Sequence, residues 1–103
     1  MRLTPGQIRV FKSAVARHFG QGVRVWLFGS RVDDRRKGGD YDFYLETELA
    51  DADDILDRKL ALLTDLHSTM EFEDEKIDLV IHSVAWNQVL PIFHIAKAEG
   101  IRL

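Results

Sequence analysis

The chain predicts a small α/β (α+β) domain, a mixed β-sheet with flanking helices, and three observations point to that class. Three runs, VRVWLF at 23–28, YDFYLE at 41–46 and KIDLVIH at 76–82, are rich in β-branched and aromatic residues. Each has the length of a strand and is too short for an independent helix. Between and around them lie segments whose apolar residues recur at helical spacing. Finally, 103 residues with 46% hydrophobic and 30% charged side chains suit one folded domain over 1–103, with neither a disordered nor a low-complexity tail.

The elements follow in order. Thr4 before Pro5 is a helix start, because the hydroxyl caps free amides and proline suits the first helical position. Ile8, Phe11, Ala14, Val15 and Phe19 then mark the buried face of a helix over 5–19, closed by Gly20 and Gly22. Strand one runs from Val23 to Phe28 and stops at Gly29. In strand two, Tyr41, Phe43 and Leu45 face one side while Asp40, Asp42, Tyr44 and Glu46 face the other. Acid-rich DADD at 51–54 suits a helix N-terminus, and Ile55, Leu56, Lys59, Leu60, Leu63 and Leu66 carry an amphipathic helix to about residue 69. The acidic EFEDE segment separates it from strand three, where Ile77, Leu79 and Ile81 alternate with Asp78 and Val80. Ser83 is placed to cap a last helical region, broken at Pro91 and ending near Lys97 or Ala98, with Gly100 as its stop. The predicted order is α-β-loop-β-α-β-α.

Composition removes several chemistries. With no cysteine there are no disulfides, thiolate zinc sites or cysteine nucleophiles, which is compatible with the cytoplasm. No apolar run approaches the roughly 18 residues that span a bilayer, so no membrane partner is expected. Residues 1–32 hold six cations (Arg2, Arg9, Lys12, Arg17, Arg24, Arg31) and no acid, while all 17 acids lie beyond. Such a face could dock a partner or nucleic acid, or be a solvated helix face. His18, His67, His82 and His94 form no HExxH pattern and read as structural or surface residues, with His82, four beyond Asp78, the one closest to the chemistry.

The stretch FGSRVDDRRKGGDYDF at 28–43 carries the chemistry. Asp40 and Asp42, two apart on a strand, project both carboxylates from one face with Cα atoms about 6.5 to 7 Å apart. Asp78 joins them if strands two and three are neighbours in suitable register. Three clustered carboxylates raise one another's pKa and call for compensation, which a hard divalent ion, magnesium or manganese, supplies. Gly29 and Ser30 directly follow a strand, where glycine admits close backbone approach and free amides plus a hydroxyl hold phosphate oxygens. Arg31 would spread a cation over a phosphate. Arg35, Arg36 and Lys37 lie in a charged loop and could touch a nucleotide. The spacing fits neither GxxxxGK[ST] nor an EF-hand loop.

Taken together, Gly29-Ser30, a nine-residue interval, Asp40-Tyr41-Asp42 and a later strand with Asp78 resemble the nucleotidyltransferase superfamily that includes DNA polymerase β. The short length and the closing FHIAKAEGIRL resemble its minimal nucleotidyltransferases, the MNT proteins, which commonly act as antitoxins to HEPN-domain toxins. The resemblance implies that Gly29 and Ser30, with Arg31, bind a nucleoside triphosphate. It implies that Asp40, Asp42 and Asp78 bind magnesium or manganese as the catalytic acids, Asp78 lying near the attacking hydroxyl. One departure is Gly38-Gly39, where many relatives place a serine just before the first aspartate. The implied activity is transfer of AMP from ATP to a hydroxyl, tyrosine by expectation, of a cognate HEPN toxin, the acceptor arriving on another protein because no second domain is apparent to cradle one. The alternatives are a binding antitoxin without catalysis, and a transferase acting on RNA or a small molecule.

Overall fold

The computed structural model describes residues Met1–Leu103. The helix α1 spans Pro5–Phe19, and the strand β1 spans Arg24–Phe28. A 3-10 turn at Gly29–Val32 follows, then β2 (Tyr41–Thr47), α2 (Ala52–His67), β3 (Ile77–Ser83), α3 (Pro91–Glu99) and a short β4 (Ile101–Arg102). The four strands lie in the order β3-β2-β1-β4, with β2 and β3 parallel and both other pairings antiparallel. The predicted mixed sheet with flanking helices is the observed architecture.

Local chemistry accounts for the helix starts. Thr4 accepts the Gln7 N–H and the Gln7 side chain accepts the Thr4 N–H, both at 3.0 Å, a reciprocal capping box. The same Gln7 side chain donates to the Tyr41 hydroxyl at 3.0 Å, tying the start of α1 to the start of β2. Asp51 caps α2 by accepting from the Asp53 and Asp54 amides.

Period-2 burial builds the sheet's two faces. Val25, Leu27, Tyr41, Phe43, Leu45, Ile77 and Leu79 pack beneath α1 and α2, with the Phe11 and Phe43 rings stacked at 3.7 Å. Phe72 is fully buried against Tyr41 and Phe43, so the acidic EFEDE segment is a core plug as well as a connection. The opposite face is covered too. Trp26, Phe28 and Tyr44 pack under Phe93 and Ala96 of α3, so α3 stands over the acid-bearing side of β2.

Two expectations at the C-terminal end are corrected. Ser83 caps no helix: it is the buried last residue of β3, its hydroxyl donating to the Leu49 carbonyl, and α3 starts at Pro91 without a side-chain cap. Beyond Gly100 the chain continues as β4, Ile101 pairing with Leu27 and Arg102 with Trp26. Two residues carry too little alternation to signal a strand.

Of the N-terminal cations, Arg9 and Lys12 are exposed on α1, and the other four have partners. Arg17 pairs with Asp65 and Arg24 with Glu46, while Arg2 and Arg31 hold backbone carbonyls. No helix is long and apolar enough to cross a membrane.

Candidate active site

The site lies at one end of the sheet, where β1 ends and β2 and β3 begin. Parallel pairing sets Asp42 directly beside Asp78, and antiparallel pairing sets Asp42 beside Phe28. Adjacent strands are about 4.8 Å apart, so the two carboxylates are lateral neighbours on one face. The register required for them to meet is the register observed. Asp78 is the acid whose charge weighs most on Asp42.

Gly29 completes the approach from β1. Its φ is +75°, a left-handed conformation open to glycine, and a Cβ built on it would collide with the Asp42 carboxylate. The turn backbone therefore passes directly against the acid. Gly39, at φ +95°, does the same for Ser30: a Cβ there would collide with the Ser30 hydroxyl. Gly39 of the Gly38-Gly39 pair thus makes room for Ser30.

Electrostatics bears the mark of this crowding. Burial first, then the charges of Asp78 and Asp40, pushes the Asp42 carboxyl up to about 6. Asp40 sits just before β2, and its carboxylate meets the Lys76 ammonium at 3.3 Å. That contact, with the Asp40, Asp78 and Asp42 charges, pushes the Lys76 ammonium up from its ordinary value. As placed, the three carboxylates do not close around one point. The donor set nonetheless suits a hard divalent ion: it is carboxylate throughout, and the repulsion at Asp42 is what such an ion would relieve.

The structure does not bring Arg31 to the carboxylates. Its guanidinium donates to the Gly39 carbonyl and lies 3.9 Å over the Tyr41 ring, and Tyr41 faces the α1 side of β2, away from Asp42. Arg31 holds the loop shut from behind. Arg2 assists by donating to the carbonyls of Asp33, Gly38 and Ser30, a bracing role that no local sequence signal announces. In the charged loop, Arg35 pairs with Asp33, whose carboxyl is held below its ordinary value chiefly by that arginine. Arg36 and Lys37 are exposed.

Sequence reasoning also passed over Lys76 and Glu46. Lys76 could have been read from its place two residues before Asp78 on the same strand edge. Glu46 is 4% exposed and receives the Tyr44 hydroxyl at 2.7 Å, with the Lys97 ammonium at 3.1 Å. Its other oxygen has Arg24 as a charge partner at 3.2 Å and no hydrogen bond. Because Tyr44 donates to Glu46, the 2.8 Å contact between His82 Nδ1 and the Tyr44 oxygen requires His82 Nδ1–H to be the donor. His82 thus belongs to a structural network.

No protein-family model matches the chain, and no curated protein matches it.

Proposed function

We propose that the protein is a minimal nucleotidyltransferase of the MNT antitoxin kind, a cytoplasmic enzyme moving AMP from ATP to a tyrosine hydroxyl on a cognate HEPN-domain toxin. The observation that supports it best is the meeting of three separate sequence signals, with the Gly29 backbone against Asp42 and Asp42 in register with Asp78. A structural core gains nothing from placing two further carboxylates where they oppose the ionisation of Asp42.

In this reading the Gly29-Ser30 turn, braced by Arg2 and Arg31, holds the terminal phosphates through backbone amides and the Ser30 hydroxyl. Asp42 and Asp78, with Asp40, would hold magnesium or manganese, which supplies counter-charge to the triphosphate and to the attacking and leaving oxygens. The acceptor oxygen attacks the α-phosphorus in line. A P–O bond forms as the bond to the bridging oxygen breaks, pyrophosphate leaves, and the hydroxyl proton passes to Asp78. Asp40, half-exposed and paired with Lys76, would leave that ammonium to join the ion.

Label from ATP should appear on the toxin partner when protein, partner and magnesium are combined, and a folded variant with Asp40, Asp42 and Asp78 all changed to asparagine should give none. No transfer by the wild type with magnesium or manganese would overturn the enzymatic reading. One contact favours a binding antitoxin instead, the Lys76–Asp40 pair, which neutralises one acid without an ion. Full neutralisation of the toxin by the triple variant would support that alternative. Label on RNA or a small acceptor in the absence of any protein partner would support a transferase with a different acceptor.

A further inference from the structure

The sheet has two unlike edges. β4 offers two residues, one of them Arg102, whereas β3 offers seven with no proline or lysine among Ile77–Ser83. The Tyr41 N–H donates to the Lys76 carbonyl at 3.0 Å and the Val84 N–H to the Thr47 carbonyl at 2.9 Å. Even-numbered residues of this stretch therefore direct their backbone groups toward β2. The N–H and C=O groups of Ile77, Leu79, Ile81 and Ser83 point outward. Of these, the Ser83 carbonyl alone has an internal partner, the Trp86 N–H at 3.2 Å.

A groove of about 310 Å³ runs along this edge, with Lys59, Leu79, Ile81, Trp86 and Leu90 among its walls. Its surroundings are apolar. Leu56 and Leu60, which flank Lys59 on α2, are 52% and 54% exposed, and Trp86 and Leu90 are 38% and 41% exposed. An outward-bonding strand seven residues long, bordered by exposed leucines and a tryptophan, is a template for another strand.

We propose that β3 is the interface with a second copy of this chain, the two β3 edges pairing antiparallel about a two-fold axis at Val80. A two-fold axis across paired strands places one residue opposite its own copy, which leaves few registers to compare. With Val80 at the centre, Leu79 faces Ile81 and Ile77 faces Ser83 in hydrogen-bonded pairs, so all four outward residues are used. Asp78 then stands opposite His82 of the second copy, in a pair that is not backbone-bonded, where Cα atoms approach to about 4.5 Å. Asp78 is exposed, and His82 is bonded through Nδ1 with Nε2 left unbonded. An exposed carboxylate is thereby placed, twice across the axis, beside an imidazole that is 15% exposed and stacked on Phe93 at 4.0 Å. Centring on Leu79 sets Asp78 against Val80 and leaves Ser83 unmatched, and centring on Asp78 sets two carboxylates face to face. Of these three registers, the one centred on Val80 gives both backbone and charge complementarity. It extends a four-stranded sheet to eight strands and brings an imidazole from the second copy to the border of the carboxylate pair.

Sedimentation equilibrium from micromolar to millimolar protein should show a species of twice 11.9 kDa, and amide exchange should show Leu79 and Ile81 protected as that species forms. Val80→Lys and Val80→Glu should each abolish the dimer, because each sets like charges opposite one another, and mixing the two should restore it. A chain monomeric throughout this range would overturn the proposal, as would a dimer indifferent to both substitutions. If either variant fails to fold, the unaltered chain decides: a dimer whose Leu79 and Ile81 amides exchange freely excludes the β3 edge. Protection of those amides only on adding a different protein would also exclude the self-pairing.

Discussion

Asp42 is an acid whose neighbours oppose its ionisation, and that has a measurable sign. With its carboxyl raised to about 6, the folded chain holds this proton more tightly than the unfolded chain. Asp42 thus favours the fold below about pH 4 and loses that contribution as pH rises to about 6. Because Asp42 is only half-buried, solvent screening reduces the effect to about 1 kcal/mol, several degrees of melting temperature. Asp42→Asn should therefore melt higher than the wild type at pH 7 without divalent ions and lack this part of the pH dependence between 4 and 6, as thermal denaturation across pH would show. Gly29→Ala should act in the other direction, costing on the order of 2 kcal/mol in urea denaturation, since a Cβ is strained at φ +75° and meets Asp42. At this scale the acids were legible because strand parity dictates which side chains share a face. Arg31 was not, because nothing in its local sequence shows that a loop carbonyl and the Tyr41 ring on the far face claim its guanidinium.

Between elements, Glu46 performs a joining role. From β2 it reaches Arg24 on β1, Lys97 on α3 and, through Tyr44, His82 on β3. Burial pushes its carboxyl up, but the Tyr44 hydroxyl, Lys97 and Arg24 together hold it below the ordinary value. Its contribution is accordingly present above the usual carboxylate range and is lost as pH falls through the lowered pKa, the acid-side complement of Asp42. Glu46→Ala should cost about 1 to 2 kcal/mol in urea denaturation at pH 7, since the Tyr44 hydroxyl loses its acceptor while the half-exposed Arg24 and Lys97 turn to solvent, and the deficit should shrink toward acid pH. Alternation placed Glu46 on the side of Asp42 and Tyr44, but it could not show that α3 covers that side, because a strand with one wet face and a strand with two dry ones can share a pattern. Phe72 escaped notice for a related reason: one aromatic residue among four acids has no periodicity, and only the fold puts it beneath Tyr41. The two-residue β4 is visible only as a pairing partner of β1.

At the scale of the whole molecule, the proposed reaction asks one end of the sheet to accept both a cation and a polyanion, and this coupling is testable without a toxin partner. The chain's net charge is −3, and three acids stand where the triphosphate would lie, so ATP alone meets repulsion. A divalent ion alone meets acids that as placed do not close around one point, one of them held by Lys76. Each therefore lowers the cost of binding the other, which is positive linkage. A ligand that binds only the folded state stabilises it by about 1.4 kcal/mol at ten times its Kd, roughly 6 to 10 °C for a domain of this size. Magnesium and ATP together should thus raise the melting temperature by more than the sum of their separate shifts, and Asp42→Asn should remove the excess while leaving any nonspecific salt effect in place. Equal shifts in the wild type and in that variant would show that ATP binds away from Asp42. The meeting of Gly29, Asp42 and Asp78 would then be a feature of packing, since a metal-nucleotide site built on those residues cannot lose its central acid and keep its linkage.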